Sequence, residues 1–165
     1  MARWYALYLR SRHEKVVDLR LRERQVETYL PMIEEIRQYS DRKKKVFEPL
    51  FRGYLFVRTD LRDKISILQT DGVVKFVGIG IRPSPIPDCQ IDSLRIAGVE
   101  PARIKREPYL RSGESVRVTS GPLEGIVGFV TVVKGSMRVV LSVDCIGQSV
   151  SVEVAPEMIV KMNGQ

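Results

Sequence analysis

The pattern of residue types changes near residue 108, and this change limits the possible folds of the chain more than any other feature of the sequence. After it, glycines separate short runs rich in valine, which cover residues 115–119, 126–133, 137–143 and 149–154. Several short strands separated by glycine turns are typical of a small β-barrel. Since a barrel of fewer than about 60 residues buries little surface, we expect its core to be compact.

The first hundred residues instead alternate strands with two amphipathic helices. Residues 3–9 are apolar or aromatic at nearly every position, which predicts a central strand buried on both faces. We expect Ser11 to cap a helix over residues 12–26, with Glu14 completing a capping box. Asp60 is expected to cap a second helix over residues 61–69. Further strands are predicted at 28–30, extending toward 39, and at 45–50, 54–59 and 73–77, with a hairpin tip at 40–44.

This order of elements predicts helices packed on one face of a mostly antiparallel sheet, a ferredoxin-like α/β sandwich. Prolines at positions 83, 85 and 87 end the pattern, and a last short helix is predicted over residues 88–97. The next residues mix proline and charge with few apolar side chains, which favours a linker. We therefore predict a first domain over residues 1–100, a linker over 101–109 and a barrel domain over 110–165.

The net positive charge of the chain comes entirely from its first part. The chain has 27 Lys and Arg residues against 20 Asp and Glu residues, a formal net charge of +7. Residues 106–165 hold six of each kind, so the whole excess lies in residues 1–105. Basic clusters of this kind bind phosphates through charge attraction and counterion release, although short single-sign stretches are also common on solvated surfaces. The clusters of interest are Arg10 and Arg12 with the arginines of residues 20–24, and Arg42, Lys43, Lys44 and Lys45.

Several functional classes are disfavoured by what the sequence lacks. Two distant cysteines, Cys89 and Cys145, and the single His13 give neither a disulfide framework nor a four-ligand zinc site. No apolar run approaches the roughly 20 residues of a membrane helix, and residues 1–5 enter a strand pattern without a signal-peptide core. No nucleophile–base pair or phosphate-binding glycine loop is evident. We expect a cytoplasmic protein that is not an enzyme and needs no cofactor or metal.

Four blocks of sequence resemble NusG-type transcription elongation factors. Trp4-Tyr5 in the first strand, residues 49–57 (Pro-Leu-Phe-Arg-Gly-Tyr-Leu-Phe-Val) and residues 72–77 resemble the N-terminal domain of that family, and residues 116–128 resemble the KOW motif of its C-terminal barrel. The blocks follow the family's order over nearly the whole chain. The resemblance implies an α+β protein with a ferredoxin-like N-terminal domain and a small SH3-like KOW barrel.

The sequence also resembles the specialised antitermination branch of the family, the RfaH and UpxY type. The supporting segments are residues 30–32, 40–45 and 48–51. Arg52 stands where the family often carries proline, and the segment after Val77 is shorter than in general members. These departures favour a specialised paralogue over the housekeeping factor.

The resemblance implies that the N-terminal domain binds the clamp helices of the largest RNA polymerase subunit through an apolar patch. Phe51 and Tyr54 match the positions that make this contact, and Trp4, Tyr8 and Phe56 are aromatic residues of nearby strands. We expect Phe51 to be exposed, because it precedes Gly53 at the entry to a strand beside a charged residue. Family members bridge the polymerase cleft over the DNA, which predicts contacts with upstream or non-template DNA phosphates through Arg10, Arg12, Arg42, Lys43, Lys44 and Lys45.

The resemblance implies a protein partner for the barrel. Ile126 and Ile146 fall at loop positions that carry apolar contacts in the family, whose partners are the ribosomal protein of the NusE type and, for some members, Rho. The protein is expected to be a monomer. One family member refolds this domain as a helical hairpin, but dense glycine and valine disfavour helix here, so we expect the β form. Because KOW barrels also occur in ribosomal proteins, an RNA-binding or ribosome-associated module is the alternative function.

Overall fold

The computed structural model of the chain describes residues 1–109 and 113–162. The outermost residues of the predicted barrel domain, 110–112 and 163–165, therefore lie outside the described part. In chain order the regular elements are β1 (Arg3–Leu9), α1 (Glu14–Glu23), β2 (Glu27–Tyr29), β3 (Met32–Gln38), β4 (Lys43–Pro49), β5 (Tyr54–Thr59), α2 (Lys64–Leu68), β6 (Val73–Phe76), β7 (Gly78–Ile79), β8 (Arg82–Pro83), α3 (Asp88–Ala97), β9 (Ile104–Glu107), β10 (Glu114–Val118), β11 (Val127–Val133), β12 (Ser136–Val143), β13 (Gln148–Glu153) and β14 (Ile159–Lys161).

The chain divides into two compact units, each continuous in space but not in sequence. The first unit contains Met1–Pro31 and Pro49–Asp88, and the second contains Met32–Glu48 and Cys89–Gln165. The predicted α+β class is confirmed, since the first unit combines helices with a sheet and the second is rich in strands.

The first unit is built on a four-stranded antiparallel sheet in the order β2-β5-β1-β6. Alternate residues of β1 point to opposite faces, and Tyr5, Leu7 and Leu9 join the buried cluster that packs against Val17 of α1 and Ile67 of α2. Both helices therefore cover one face of the sheet. Trp4, Ala6 and Tyr8 of β1 point to the other face, which carries the aromatic residues singled out above.

Of the two helix caps predicted in the first unit, the one at Asp60 is confirmed and the one at Ser11 is wrong. Asp60 caps the 3₁₀ turn Leu61–Asp63 that leads into α2, because its carboxylate accepts the N–H of Arg62 at 2.9 Å. Hydrogen bonds from the N-terminal ammonium and then from that backbone N–H lower the pKa of Asp60 well below its ordinary value. The predicted capping box at Ser11 is wrong, because α1 begins only at Glu14. His13 occupies the N-cap position, and its side chain makes no capping hydrogen bond.

Strands β3 and β4 form a separate two-stranded hairpin instead of joining the four-stranded sheet. The Tyr39 N–H donates to the Arg42 carbonyl at 2.7 Å, which closes the hairpin tip near the predicted position. Arg37 pairs with Glu48, and Lys45 Nζ lies 3.7 Å from Glu34 Oε1. These ion pairs link the two strands, so the hairpin has its own cross-strand contacts.

The second unit also contains a six-stranded antiparallel sheet in the order β14-β10-β11-β12-β13-β9. Its four long strands lie within a residue or two of the predicted ones, and alternating valines fill the core, including Val116, Val139 and Val152. Gly128 lies where β11 and β12 approach closely, because an added Cβ would lie 2.3 Å from the carbonyl oxygen of Val140.

The predicted linker at residues 101–109 is not an irregular segment in the structure. Pro101–Arg103 forms a 3₁₀ turn, and Ile104–Glu107 forms the edge strand β9, which pairs antiparallel with β13. Ile104 is buried, whereas Lys105 and Arg106 are exposed. A single buried residue between charged neighbours gives no period-2 pattern, which is why the sequence did not indicate this strand.

Candidate functional site

The candidate polymerase-binding residues lie on the face of the first sheet opposite to α1 and α2. Tyr8 is paired with Tyr54 and Ala6 with Phe56 across β1 and β5, so these side chains point to the same side. The rings of Tyr8 and Tyr54 are 5.6 Å apart. Trp4 also lies on this face, because it is two residues from Ala6 on the same strand.

These aromatic residues differ sharply in exposure. Tyr8 is 40% exposed and Tyr54 is half-buried, whereas Trp4, Phe51 and Phe56 are all at most 3% exposed. The expectation that Phe51 is exposed is therefore wrong. Its ring packs edge-on against Phe56 with 5.8 Å between the ring centroids, since an aromatic side chain beside a buried strand gains more from packing than from solvent. The accessible part of the aromatic face is thus the Tyr8–Tyr54 pair.

A buried carboxylate holds the turn that joins Phe51 to β5. The Phe51 carbonyl accepts the Tyr54 N–H at 3.1 Å, and Gly53 has φ +83° at the third position, as a type II turn requires. The Gly53 N–H donates to Glu14 Oε1 at 2.8 Å, and Glu14 is 7% exposed. Glu14 thus positions the candidate site from the start of α1, a role that sequence analysis missed because the two residues lie 39 positions apart.

The basic residues of the first unit form a cluster around one carboxylate. Arg10 Nη1 lies 3.2 Å from Asp71 Oδ1, and Arg20 Nη1 lies 3.3 Å from Asp71 Oδ2. Arg12 is exposed and has φ +63° at the turn before α1. Two guanidinium groups on one carboxylate leave a local positive excess next to Arg12, at the surface where an anion could approach.

The remaining predicted DNA contacts, Arg42, Lys43, Lys44 and Lys45, belong to the hairpin of the second unit, and all four are exposed. Among the described residues, Lys45 is paired with Glu34, whereas Arg42, Lys43 and Lys44 make no ion pair. The exposed side chains near them include Tyr39 and Phe47, which sequence analysis did not single out. Cations and aromatic rings on one hairpin can contact the phosphates and bases of a single strand.

The two candidate partner contacts of the barrel also differ in exposure. Ile146 is half-buried in the 3₁₀ turn Asp144–Ile146, whereas Ile126 is completely buried. Helix α3 packs beside Ile126, because Ser93 Oγ accepts the Val127 N–H at 3.1 Å and donates to the Val127 carbonyl at 3.4 Å. In this arrangement a partner can reach Ile146 but not Ile126.

The titratable groups of the barrel include one thiol with a strongly perturbed pKa. Desolvation by burial, followed by the neighbouring charge of Asp144, raises the pKa of Cys145 to about 11. Within residues 1–109 and 113–162 no three His, Cys, Asp or Glu side chains are placed to hold a metal. In the same residues no helix is long and apolar enough to cross a membrane.

Comparison with known proteins identifies the family. A family model described as "Transcription termination factor nusG" matches residues 2–95. The transcription termination/antitermination protein NusG of Thermus thermophilus is 29% identical, with coverage of 96% of this chain and 97% of the relative. NusG of Deinococcus radiodurans is 30% identical, with coverage of 85% and 90%. A solved structure described as "Domain interaction in Thermotoga maritima NusG" covers 99% of this chain and 98% of its own, with 23% identity and a TM-score of 0.53, which supports the fold. The chain therefore belongs to the NusG family, as the motifs in its sequence predict.

Proposed function

We propose that this NusG-family chain is a specialised antitermination factor of the RfaH and UpxY type, which binds the clamp helices of RNA polymerase through the aromatic face of its first unit. The observation that carries the proposal is the Tyr8–Tyr54 pair, because it places accessible aromatic surface on the face of the sheet opposite to α1 and α2. Exposed aromatic anchors commonly contribute most of the affinity for a helical partner. Binding suppresses pausing and termination if the factor prefers the closed, active polymerase.

Titration of purified core RNA polymerase with the full chain tests the polymerase contact. Tyr8→Ala and Tyr54→Ala are expected to weaken binding about tenfold each, as truncated anchors do. Ile65→Ala is the matched control, since Ile65 is 69% exposed on α2, which packs against the opposite face of the sheet. Unchanged binding by both tyrosine variants, or an equal loss in the control, would exclude this face as the contact.

We also infer that the basic residues contact upstream or non-template DNA in the transcribing complex. Arg42, Lys43 and Lys44 support this proposal, because they are exposed cations without an ion pair among the described residues. In a pause and readthrough assay with purified polymerase, Lys43→Glu combined with Lys44→Glu is expected to reduce antitermination. The control is Arg117→Glu combined with Lys134→Glu, an identical charge change at two exposed positions of the barrel. An equal reduction in both variants would mean that overall charge, and not the hairpin, matters.

The barrel is proposed to recruit a ribosomal protein of the NusE type, or Rho, through its apolar loops. Ile146 is accessible for such a contact, whereas Ile126 becomes accessible to a partner only if α3 moves away from the loop beside it. Ile146→Ala is expected to weaken capture of the partner, while Val160→Ala, an exposed valine on β14, is not. Tight RNA binding with a steep salt dependence and no polymerase contact would favour the alternative, an RNA-binding KOW module.

A further inference from the structure

A groove in the second unit is distinct from the surfaces considered so far. Its volume is about 740 Å³, and it lies among the 3₁₀ turn before β9, the β11–β12 hairpin and the segment between β13 and β14. Neither Ile126 nor Ile146 lines it. Its walls are mostly apolar, and the main contributors are Val118, Leu123, Val132, Met137, Val154 and Met158. Two methionines in such a wall can adapt to side chains of different shape.

The groove is lined by four charged residues, Arg103, Lys105, Arg138 and Glu153. The most buried of them is Arg138 of β12, whose side chain is only 4% exposed. Its Nε donates to Ser151 Oγ at 2.7 Å, and its Nη2 donates to the Ser151 carbonyl at 3.1 Å and to the Arg103 carbonyl at 3.4 Å. Ser151 Oγ in turn donates to Glu107 Oε1 at 2.6 Å. These contacts fix the orientation of the guanidinium plane from one side.

The opposite side of the guanidinium is incompletely paired. Within residues 1–109 and 113–162, Nη1 makes no hydrogen bond, and its ion-pair partner, Glu153 Oε2, is 3.8 Å away. The Glu153 side chain is 64% exposed, so it can turn into solvent at little cost. A second carboxylate, Glu107, lies 3.8 Å from Nε on the other side of the group. A buried cation is stabilised when counter-charges and hydrogen bonds satisfy it, and here both counter-charges lie beyond hydrogen-bond distance. Arg138 therefore presents two N–H donors in an apolar groove to an incoming anion.

We propose that this groove binds an extended acidic peptide of a partner protein, with a carboxylate on Arg138 Nη1 and neighbouring apolar side chains against the walls. A guanidinium held in a fixed plane matches the planar geometry of a carboxylate. Lys105, exposed at the rim, supplies a second cation for the next acidic residue. The site is independent of the proposed polymerase, DNA and partner contacts, because its residues belong to none of them.

A peptide fits this groove better than a nucleic acid does. Phosphate-binding surfaces need several exposed cations along a track. Here the lining cations are the buried Arg138, Arg103, which pairs with Glu100, and the exposed Lys105, and they lie among apolar walls with Glu153. Residues 106–165 also carry equal numbers of basic and acidic side chains. The apolar walls match alternating apolar side chains of an extended chain, which occur at every second residue.

Fluorescence anisotropy with the full chain tests the proposal. The probe is a short fluorescein-labelled peptide of alternating leucine and aspartate residues, and its matched control carries asparagine in place of aspartate. We expect the acidic peptide to bind at least about tenfold more tightly than the amide peptide. Val132→Glu is expected to reduce binding at least about tenfold, because it places a carboxylate within the groove. Arg138→Met is expected to abolish the preference for the acidic peptide if the variant folds.

The neighbouring residue provides a control variant that leaves the groove unchanged. Val133 is also exposed but does not line the groove, so Val133→Glu is expected to bind the acidic peptide within about twofold of the unmodified chain. Equal affinity for the two peptides, full binding by Val132→Glu, or no binding at about 1 mM peptide would each overturn the proposal. A single-stranded oligonucleotide that displaces the acidic peptide, and whose own binding is abolished by Val132→Glu, would assign the groove to phosphates. This outcome would also overturn the proposal.

Discussion

Truncation of Phe51 gives the most direct test of how the aromatic face is built. The ring is 2% exposed and meets Phe56, itself 1% exposed, in an edge-to-face contact. Phe51→Ala removes the ring and leaves a cavity that the surrounding strands can fill only in part. Substitutions of this kind cost about 3–5 kcal/mol. Since domains are stable by only about 5–15 kcal/mol, we expect this variant to unfold at a markedly lower urea concentration.

Urea denaturation of the full chain, followed by tryptophan fluorescence, measures this loss. Trp4 is the only tryptophan, is 3% exposed and lies in the first unit, so its emission reports the unfolding of that unit. Leu19→Ala is the matched control, because Leu19 is 60% exposed on α1 of the same unit and its loss should cost less than about 1 kcal/mol. A loss below about 1 kcal/mol for Phe51→Ala, or equal losses for both variants, would refute the reasoning that Phe51 is a core residue.

Three further predictions concern Glu14, Gly128 and the two cysteines. Glu14→Ala is expected to lower the free energy of unfolding by about 1–3 kcal/mol in urea titrations, because it leaves the Gly53 N–H without its acceptor. Gly128→Ala is expected to destabilise the second unit by at least about 1–3 kcal/mol in thermal melts, because its Cβ would overlap the backbone of β12. At pH 8, iodoacetamide is expected to label Cys89 but not Cys145, as read by mass spectrometry, because Cys89 is exposed whereas the raised pKa of Cys145, about 11, keeps it a thiol.

Each of these predictions has a matched comparison. Glu14→Gln retains a carbonyl acceptor, so it should lose less stability than Glu14→Ala; an equal loss would exclude the hydrogen bond as the cause. Gly80→Ala meets no atom within 4 Å and should cost only about 1–2 kcal/mol, from its positive φ. If Gly128→Ala lost no more stability than Gly80→Ala, then β11 and β12 can move apart to accommodate the added Cβ. Equal labelling of both cysteines at pH 8 would contradict the burial of Cys145.

The sequence predicts those elements whose signals are local. Helix α3 was predicted over residues 88–97 and found at Asp88–Ala97, and Asp60 caps the turn into α2 as expected. Strand β9 was missed because its stability comes from pairing with β13, more than 40 residues away, and not from its own pattern. Glu14 was assigned to the wrong partner for the same reason, since Gly53 is near it only in the folded chain.

The exposure of the candidate-site residues could not be predicted from the sequence either. Motifs identify which residues belong to the aromatic face, but a motif carries no information about how much of each side chain remains accessible. Phe51 and Ile126 were expected at loop surfaces and are both buried, because Phe56 packs against Phe51 and helix α3 packs beside Ile126. Tyr8 and Tyr54 keep accessible surface at the end of the β1–β5 pairing, next to the turn at Gly53.

The distribution of ion pairs determines how the basic residues can act. On the hairpin, Glu34 and Glu48 neutralise Lys45 and Arg37, while Arg42, Lys43 and Lys44 make no ion pair within residues 1–109 and 113–162. Few free cations release few counterions, so the hairpin gains little affinity for DNA on its own. Under the proposed function, binding to the polymerase raises the effective concentration of nearby DNA, and a weak contact then suffices. Under the proposed function these charges also predict an order of events, in which the aromatic face determines where the protein binds and the hairpin acts only after it is bound.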